Sequence, residues 1–562
     1  MSKSMLLFPI SLLPFLLLLL LSRRGVSSFS APTTKTTNVG FQRWITDAPD
    51  EVKEPKVLHV EGTIPSYVKG SLIRNGGGIW SLDETTQSAH IFDGLAKLSL
   101  YQINDGNNDN SVSFTSRFVD SYLYREWAGK GSGVPSVHIG PLVDKETKTA
   151  KPQTKWLQAL LNIPAFDNAP VNVWDFSAGA QDNSNVWCLT DTTIRATLDK
   201  NSLDTLQSGR QPPAAHNAPG FYELSATAHP EYCKRGTGAT YNVGTHIGFP
   251  NYHLCLIKDD PRNSQDRQVI AKYKLPYNEI PYMHSFGLTQ SKAIVVLQPL
   301  RQNSNFKVLL TEGFMPSMQH VDETTKVLVF DLESGDLLAD TSLPEQVYFY
   351  HAISSAEDDT ENNVSIKLCA YRTPDMITGE DMFFRFDRAW TAEGRNRIPR
   401  PGTLCDVTVH LQQDTASVQW TPAVDTKSGT EQGFELPTTR YSRTTNGQGP
   451  WQQGRHPRYT YAFGAYAQGS SEYDCWAILK IDTETGQAVS FRERDSCYYS
   501  EPIFVANPDG VDEDDGVLLC TRMDGRTEET SLLVVDAKTM TKMAEANTKT
   551  RVAMDFHGAF FG

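Results

Sequence analysis

The chain has 562 residues, with 66 acidic against 52 basic side chains and a net charge of −14. Apolar residues make up 39% and aromatics 10%, enough for a large core, which excludes disordered, collagen-like and multi-pass membrane classes. The acidic balance argues against neutralising phosphates, so nucleic acid is not an expected partner. The eight cysteines (Cys188, Cys233, Cys255, Cys369, Cys405, Cys475, Cys497 and Cys520) form no C-x-x-C pair, and several sit in apolar strand-like runs. They read as buried free thiols rather than disulfides or a zinc site.

The N-terminus carries an address. Met5–Leu21 is a 17-residue apolar run behind Lys3, followed by Arg23 and Arg24 and by the small residues Val26 and Ser28 before Phe29. That pattern predicts a signal peptide over 1–28, with a retained anchor as the alternative. From Phe29 onward no acid occurs before Asp47, while Ser30, Thr33, Thr34, Thr36, Thr37, Lys35 and Arg43 give 29–46 a transit-peptide composition. The FSAP junction resembles the bipartite presequences of algae with secondary plastids, so plastid import is expected, with the secretory pathway or ER membrane as the alternative. Residues 47–562 then form one domain.

Past the leader, short β-rich runs dominate: SLIRNGG, AKLSLYQI, SVSFTSRFV, AIVVLQPL, KVLVFDL, VSIKLCAY, SVQWTP, WAILKID, GVLLCTR and SLLVVDA. Turn signals (NGGG, DGNN, ESGD, TETG, NPDG) separate them, which predicts an all-β chain of hairpins. A strand ending in Asp, then a turn and a second strand, recurs at Asp199, Asp331, Asp482 and Asp536 with irregular intervals. Irregular intervals fit propeller blades with unequal loop insertions; no Pro- or Gly-rich linker supports the rival tandem of sandwiches. One stretch, Thr154 to Phe166, departs from this pattern: Trp156, Leu157, Leu160 and Leu161 share a helical face beside Lys155. It reads as a short core helix or as a segment dipping into a membrane surface.

No HExxH, GxSxG or GxxxxGK[ST] pattern occurs, which removes zinc-protease, α/β-hydrolase and P-loop chemistry. Four of the 13 histidines stand in distinctive strand contexts: His229 in SATAHP, His284 in PYMHSFGL, His351 in YFYHAISS and His557 in DFHGAFFG. Taken singly, each reads as a hydrogen-bonded structural histidine or as a ligand. Separations of 55, 67 and 206 residues put them on different blades, from which side chains converge on a propeller axis.

These contexts, together with HIFDGLAKL, FELPTTRY and SEPIFV, resemble the carotenoid cleavage oxygenase family from about Gly70 to the C-terminus. The likeness is to its animal-type branch, the β-carotene oxygenases and the retinoid isomerohydrolase of retinal pigment epithelium. The resemblance implies a seven-bladed β-propeller under a helical and loop dome, with one Fe2+ per chain on the axis. It implies His229, His284, His351 and His557 as the metal ligands. Three acids then accept the far ring N–H of ligand histidines: Glu435 of FELP, Glu501 of SEPIF and, in LTDTTI, Asp191 where the family has Glu. Asp is one methylene shorter, so its carboxylate is expected to reach His284 only if the strand shifts or a water bridges. On that basis Asp191→Glu should keep or raise metal retention. His90 is expected to be structural, and Gly94 and the run Asn75–Gly78 to mark tight turns or close backbone approach. The implied reaction adds O2 across a C=C bond of a carotenoid or apocarotenoid, with no catalytic residue beyond the metal centre. The implied entry of an insoluble substrate from lipid favours membrane contact through Trp156, Leu157, Leu160 and Leu161. A retinoid isomerohydrolase, a non-catalytic carotenoid-binding propeller and cleavage of other conjugated alkenes are the alternatives.

Overall fold

The structure, a computed structural model, describes residues 38–104, 110–130, 139–151, 167–176, 184–210, 221–232, 239–248, 251–260, 263–276, 279–302, 313–315, 317–358, 360, 362–382, 385–441 and 455–562. Seven antiparallel sheets of four to six strands follow one another. Blade 1 holds Val52–Leu58, Gly70–Gly77, Ala96–Ile103, Val112–Phe118 and the C-terminal strand Asp555–Phe561. Blades 2 to 5 take residues 172–210, 221–274, 287–342 and 348–421 in order. Blade 6 spans residues 423–491, where Ala423–Asp425 also pairs in parallel with Gln487–Phe491 and closes the sheet on itself. Blade 7 spans residues 497–547, and Val60–Gly62 completes its outer edge. Each end of the chain thus completes a sheet begun by the other, which closes the propeller expected from the sequence.

The strand composition follows from this packing. A blade is buried on both faces, so its inner strands read as continuous apolar runs rather than as alternation. In Lys292–Leu297, Ala293, Val295 and Leu297 pack towards blade 3 while Ile294 and Val296 pack towards blade 5. In Gly70–Gly77, Leu72 faces the blade 7 core and Ile73 the blade 2 core. The outermost strand Thr415–Thr421 holds no fully buried residue and alternates exposed with half-buried positions.

The recurring Asp motif is the outer-hairpin turn of blades 2, 4, 6 and 7. In each, the carboxylate accepts the backbone N–H groups two and three residues on: Asn201 and Ser202 on Asp199, Glu333 and Ser334 on Asp331, Glu484 and Thr485 on Asp482, Lys538 and Thr539 on Asp536. Asp144 and Asp425 make the same turn and escaped the pattern search. NGGG, expected among the turns, lies at the end of a strand instead, and its glycines serve close approach. A Cβ on Gly77 would stand 2.5 Å from the Trp80 ring and 2.9 Å from Gly94 Cα.

Residues 38–46, placed by composition in the transit-like segment, pack on the body. Phe41 and Trp44 are buried in an aromatic cluster with Tyr473, Trp476 and Tyr498. The Trp44 carbonyl accepts the Met554 N–H, and Asp47 accepts from Trp80 N and Ser81 N. Residues 38–46 lack acids because they are an apolar strap across the body; 1–37 lie outside the described residues. So do Cys233 and the segment with Trp156, Leu157, Leu160 and Leu161. The other seven cysteines are free and buried. No helix among the described residues is long and apolar enough to cross a membrane. Small sheets (Thr86–Ser88 with residues 142–151, and Ile280–Pro281 with residues 300–320) and short helices supply the dome; Ile91, Phe92, Met315, Met376 and Ile377 join one core with Tyr282 and Tyr350.

Candidate metal centre

Every blade sends one residue to a common centre. His557 lies on the inner strand of blade 1, His351 on Tyr348–Glu357 of blade 5, and His284 just ahead of Gly287–Leu288 of blade 4. His229 sits between Phe221–Ala226 and Glu231–Tyr232 of blade 3. Blades 2, 6 and 7 contribute Asp191, Glu435 and Glu501. All four histidines are buried, and one ring nitrogen from each lies within 4.8 Å of the others. Nε2 of His284 stands 3.0 Å from that of His229 and 3.3 Å from that of His351, which is 3.2 Å from that of His557.

The acids decide what those nitrogens are. Asp191 Oδ2 lies 2.5 Å from His284 Nδ1, Glu435 Oε2 2.7 Å from His351 Nδ1, and Glu501 Oε1 2.8 Å from His557 Nδ1. A neutral imidazole that donates from Nδ1 presents a lone pair at Nε2. Three of the four Nε2 atoms are therefore acceptors crowded at hydrogen-bond distance, which is repulsive without a cation between them. Ligands about 2.1 Å from one ion stand about 3 Å apart when adjacent at right angles. The donor set fits a divalent metal held by neutral imidazoles.

Asp191 departs from expectation. Its carboxylate meets the His284 ring directly, with no water between. The turn that carries it is held by Ala228 N–H, which donates to Oδ1 at 2.8 Å, and Tyr282 OH donates to Oδ2 at 3.3 Å. One short acid thus ties His284 to the residue before His229.

The other two acids are more deeply set. Leu436, with φ at 51°, turns its N–H onto Glu435 Oε2 at 2.8 Å. Burial by itself pushes that carboxyl up to about 8, and a cation held at Nε2 of His351 would favour the ionised form that accepts from Nδ1. Left-handed backbone at a non-glycine residue is costly and is held here by its surroundings. Glu501 Oε2 accepts from Gly558 N and from the guanidinium of Arg74, both at 3.1 Å. Arg74 is fully buried and also pairs with Asp555. Burial disfavours its charge, yet Asp555 and Glu501 outweigh that and hold it above its ordinary value. Sequence reasoning missed Arg74, although a charge inside the apolar run SLIRNGG is the signal.

Beside His284 the ring neighbours are aromatic. Phe92 stacks on His284 at 6.3 Å, Tyr350 meets it edge-on at 5.3 Å, and Tyr282 lies beside both. Burial lifts the Tyr282 and Tyr350 phenols well above their ordinary range, so both stay protonated. His90 is not a ligand: its Nδ1 accepts the Phe92 N–H at 3.2 Å, and burial, with Arg385 adding, pushes it down to about 3. It anchors the turn that carries Phe92.

The family model described as retinal pigment epithelial membrane protein matches residues 45–562. The chain is 25% identical to the carotenoid isomerooxygenase of Galleria mellonella, over 92% of this chain and 96% of that one. It is also 25% identical to the beta,beta-carotene 15,15'-dioxygenase of Gallus gallus, over 91% and 96%. Among solved structures, a variant of Synechocystis apocarotenoid oxygenase superposes with a TM-score of 0.72 at 22% identity, covering 93% of this chain and 98% of that one. The cobalt-substituted form of that oxygenase gives 0.71 at 22% identity, over 92% and 98%. A family match that takes in every blade, the four histidines and the three acids makes this chain a member of the carotenoid oxygenase family.

Proposed function

We propose that the protein is a non-haem Fe2+ dioxygenase that cleaves a C=C bond of a carotenoid or apocarotenoid with O2, giving two carbonyl products. The observation that carries this reading is the cluster of four buried imidazoles, three of which meet a carboxyl group at Nδ1. Bound there, ferrous iron would supply a redox-active centre with positions open to dioxygen. The chain's own residues hold and orient. The four histidines would be the ligands; Asp191, Glu435 and Glu501 keep three of them in the binding tautomer. Phe92, Tyr282 and Tyr350 cover one side of the rings with aromatic surface, which keeps water off that side of an oxidisable centre. No proton transfer is demanded of a side chain, in keeping with phenols held protonated.

Relatives named as β-carotene 15,15'-dioxygenases favour central cleavage to retinal. The test is product analysis of iron-loaded protein with β-carotene micelles, with and without O2, beside His351→Ala. Oxygen-dependent C20 aldehyde, absent in the variant, is the expected result. Intact polyenes, apocarotenoids included, at full iron loading would overturn the reading. Cleavage of a retinyl ester without O2 would instead make the protein an isomerohydrolase. The leader reads as plastid-directing; a fusion of residues 1–50 to a fluorescent protein should enter plastids, and secretion would refute that address. Trp156, Leu157, Leu160 and Leu161 are proposed to touch the membrane, so Trp156→Ser with Leu160→Ser should release the protein from liposomes.

A further inference from the structure

The four imidazoles divide two different surroundings. Residues just before the ligands in the chain, Tyr282 and Tyr350, belong to the aromatic packing under the dome. Residues just after them open onto a cleft of about 1070 Å3, counting its open mouth, whose floor includes His229 and His351. Its lining carries oxygen at Ser285, Ser354, Thr439 and Tyr441 and at the half-exposed Glu231 and Gln290, set among apolar groups such as Phe286, Leu288 and Ile353. Behind Ser354, His456 hydrogen-bonds that hydroxyl through Nδ1 and the hydroxyl of Ser365 through Nε2, both at 2.8 Å, donating from one nitrogen and accepting at the other. Burial, with Lys367 adding, pushes His456 down to about 3, so this wall adds no positive charge near neutral pH.

Resting on the metal-centre reading above, we propose that this cleft is the route by which the hydrated divalent ion reaches, and leaves, the four histidines. Stripping a dication of water against bare hydrocarbon is prohibitively costly, so its path must supply oxygen lone pairs as water departs. The cleft offers carboxylate, amide and hydroxyl oxygens along its lining, whereas Phe92, Tyr282 and Tyr350 cover the rings on the other side. Glu231 concentrates cations at the entrance, and the hydroxyls replace waters singly until the imidazoles take over.

The test follows Co2+ uptake by the metal-free full-length protein through its visible absorption, and Co2+ release to a chelator. Ala352→Leu narrows the cleft beside His351. It should slow uptake and release alike by about tenfold or more while the final spectrum and one ion per chain stay unchanged, because both directions use one path. Glu231→Gln keeps the size of the side chain and removes its charge, and should slow uptake about threefold at low salt, with the difference vanishing at high salt. Phe314→Leu, on the aromatic side, should leave both rates unchanged. Wild-type rates in Glu231→Gln, and in Ala352→Leu wherever that variant folds, would overturn the route and leave the metal centre standing. Failure of the wild-type protein to bind Co2+ at all would overturn the centre itself.

Discussion

Replacing Asp191 with Ala removes the acceptor for three donors: His284 Nδ1–H, Ala228 N–H and Tyr282 O–H. Loss of a carboxylate that orients a ligand histidine lowers metal affinity about 10- to 100-fold, or about 1.4–2.7 kcal/mol. The metal-free protein should lose a further ~1–2 kcal/mol of folding stability, since these three donors are orphaned and the Asp191 side chain is only 18% exposed to water that could replace it. The assay is competition for Co2+ against a chromophoric chelator, with urea melts of the metal-free protein alongside. Direct contact between Asp191 and His284 also reverses the expectation for Asp191→Glu. An added methylene has no gap to fill at 2.5 Å, so Glu must give up Ala228 N–H and should lower affinity, by less than about tenfold. Wild-type affinity in Asp191→Ala, within about twofold, would refute the argument that this acid orients the ligand.

Other buried groups give separate tests. Arg74→Met strands Glu501 and Asp555 as buried carboxylates and should cost ~3–5 kcal/mol in a urea melt, part of it recovered by adding Asp555→Asn; a loss no larger than that of an exposed arginine would refute the pairing. His90 stays neutral in the folded protein down to about 3 but protonates near 6.5 when unfolded, so stability is intact above 6.5 and falls as pH drops towards 3. His90→Asn, which still accepts the Phe92 N–H, should flatten that slope by about 1.4 kcal/mol per pH unit, and an unchanged slope would count against a buried neutral ring. Trp44→Ala should cost ~3–5 kcal/mol, as for a core aromatic; a cost near zero would mean that residues 38–46 are leader after all.

Some features were legible because local chemistry writes them. Strand runs such as AIVVLQPL are apolar on both faces since each blade packs between two others, and the Asp199, Asp331, Asp482 and Asp536 turns are closed by hydrogen bonds within three residues. The four candidate histidines stood out by their strand contexts and by a family likeness, and the structure brings all four together. Tertiary structure decided what depends on residues distant in the chain. Asp191 reaches His284 because Ala228, 37 positions away, holds its turn in place. Arg74 is tolerable without water only because Glu501 and Asp555, more than 400 positions on, meet it. Residues 38–46 look like leader in composition, yet the aromatic cluster that buries Phe41 and Trp44 is assembled from residues 473 to 498. Short-range bonding leaves its mark on neighbouring letters; burial and charge pairing do not, since their partners are chosen by the closure of the ring.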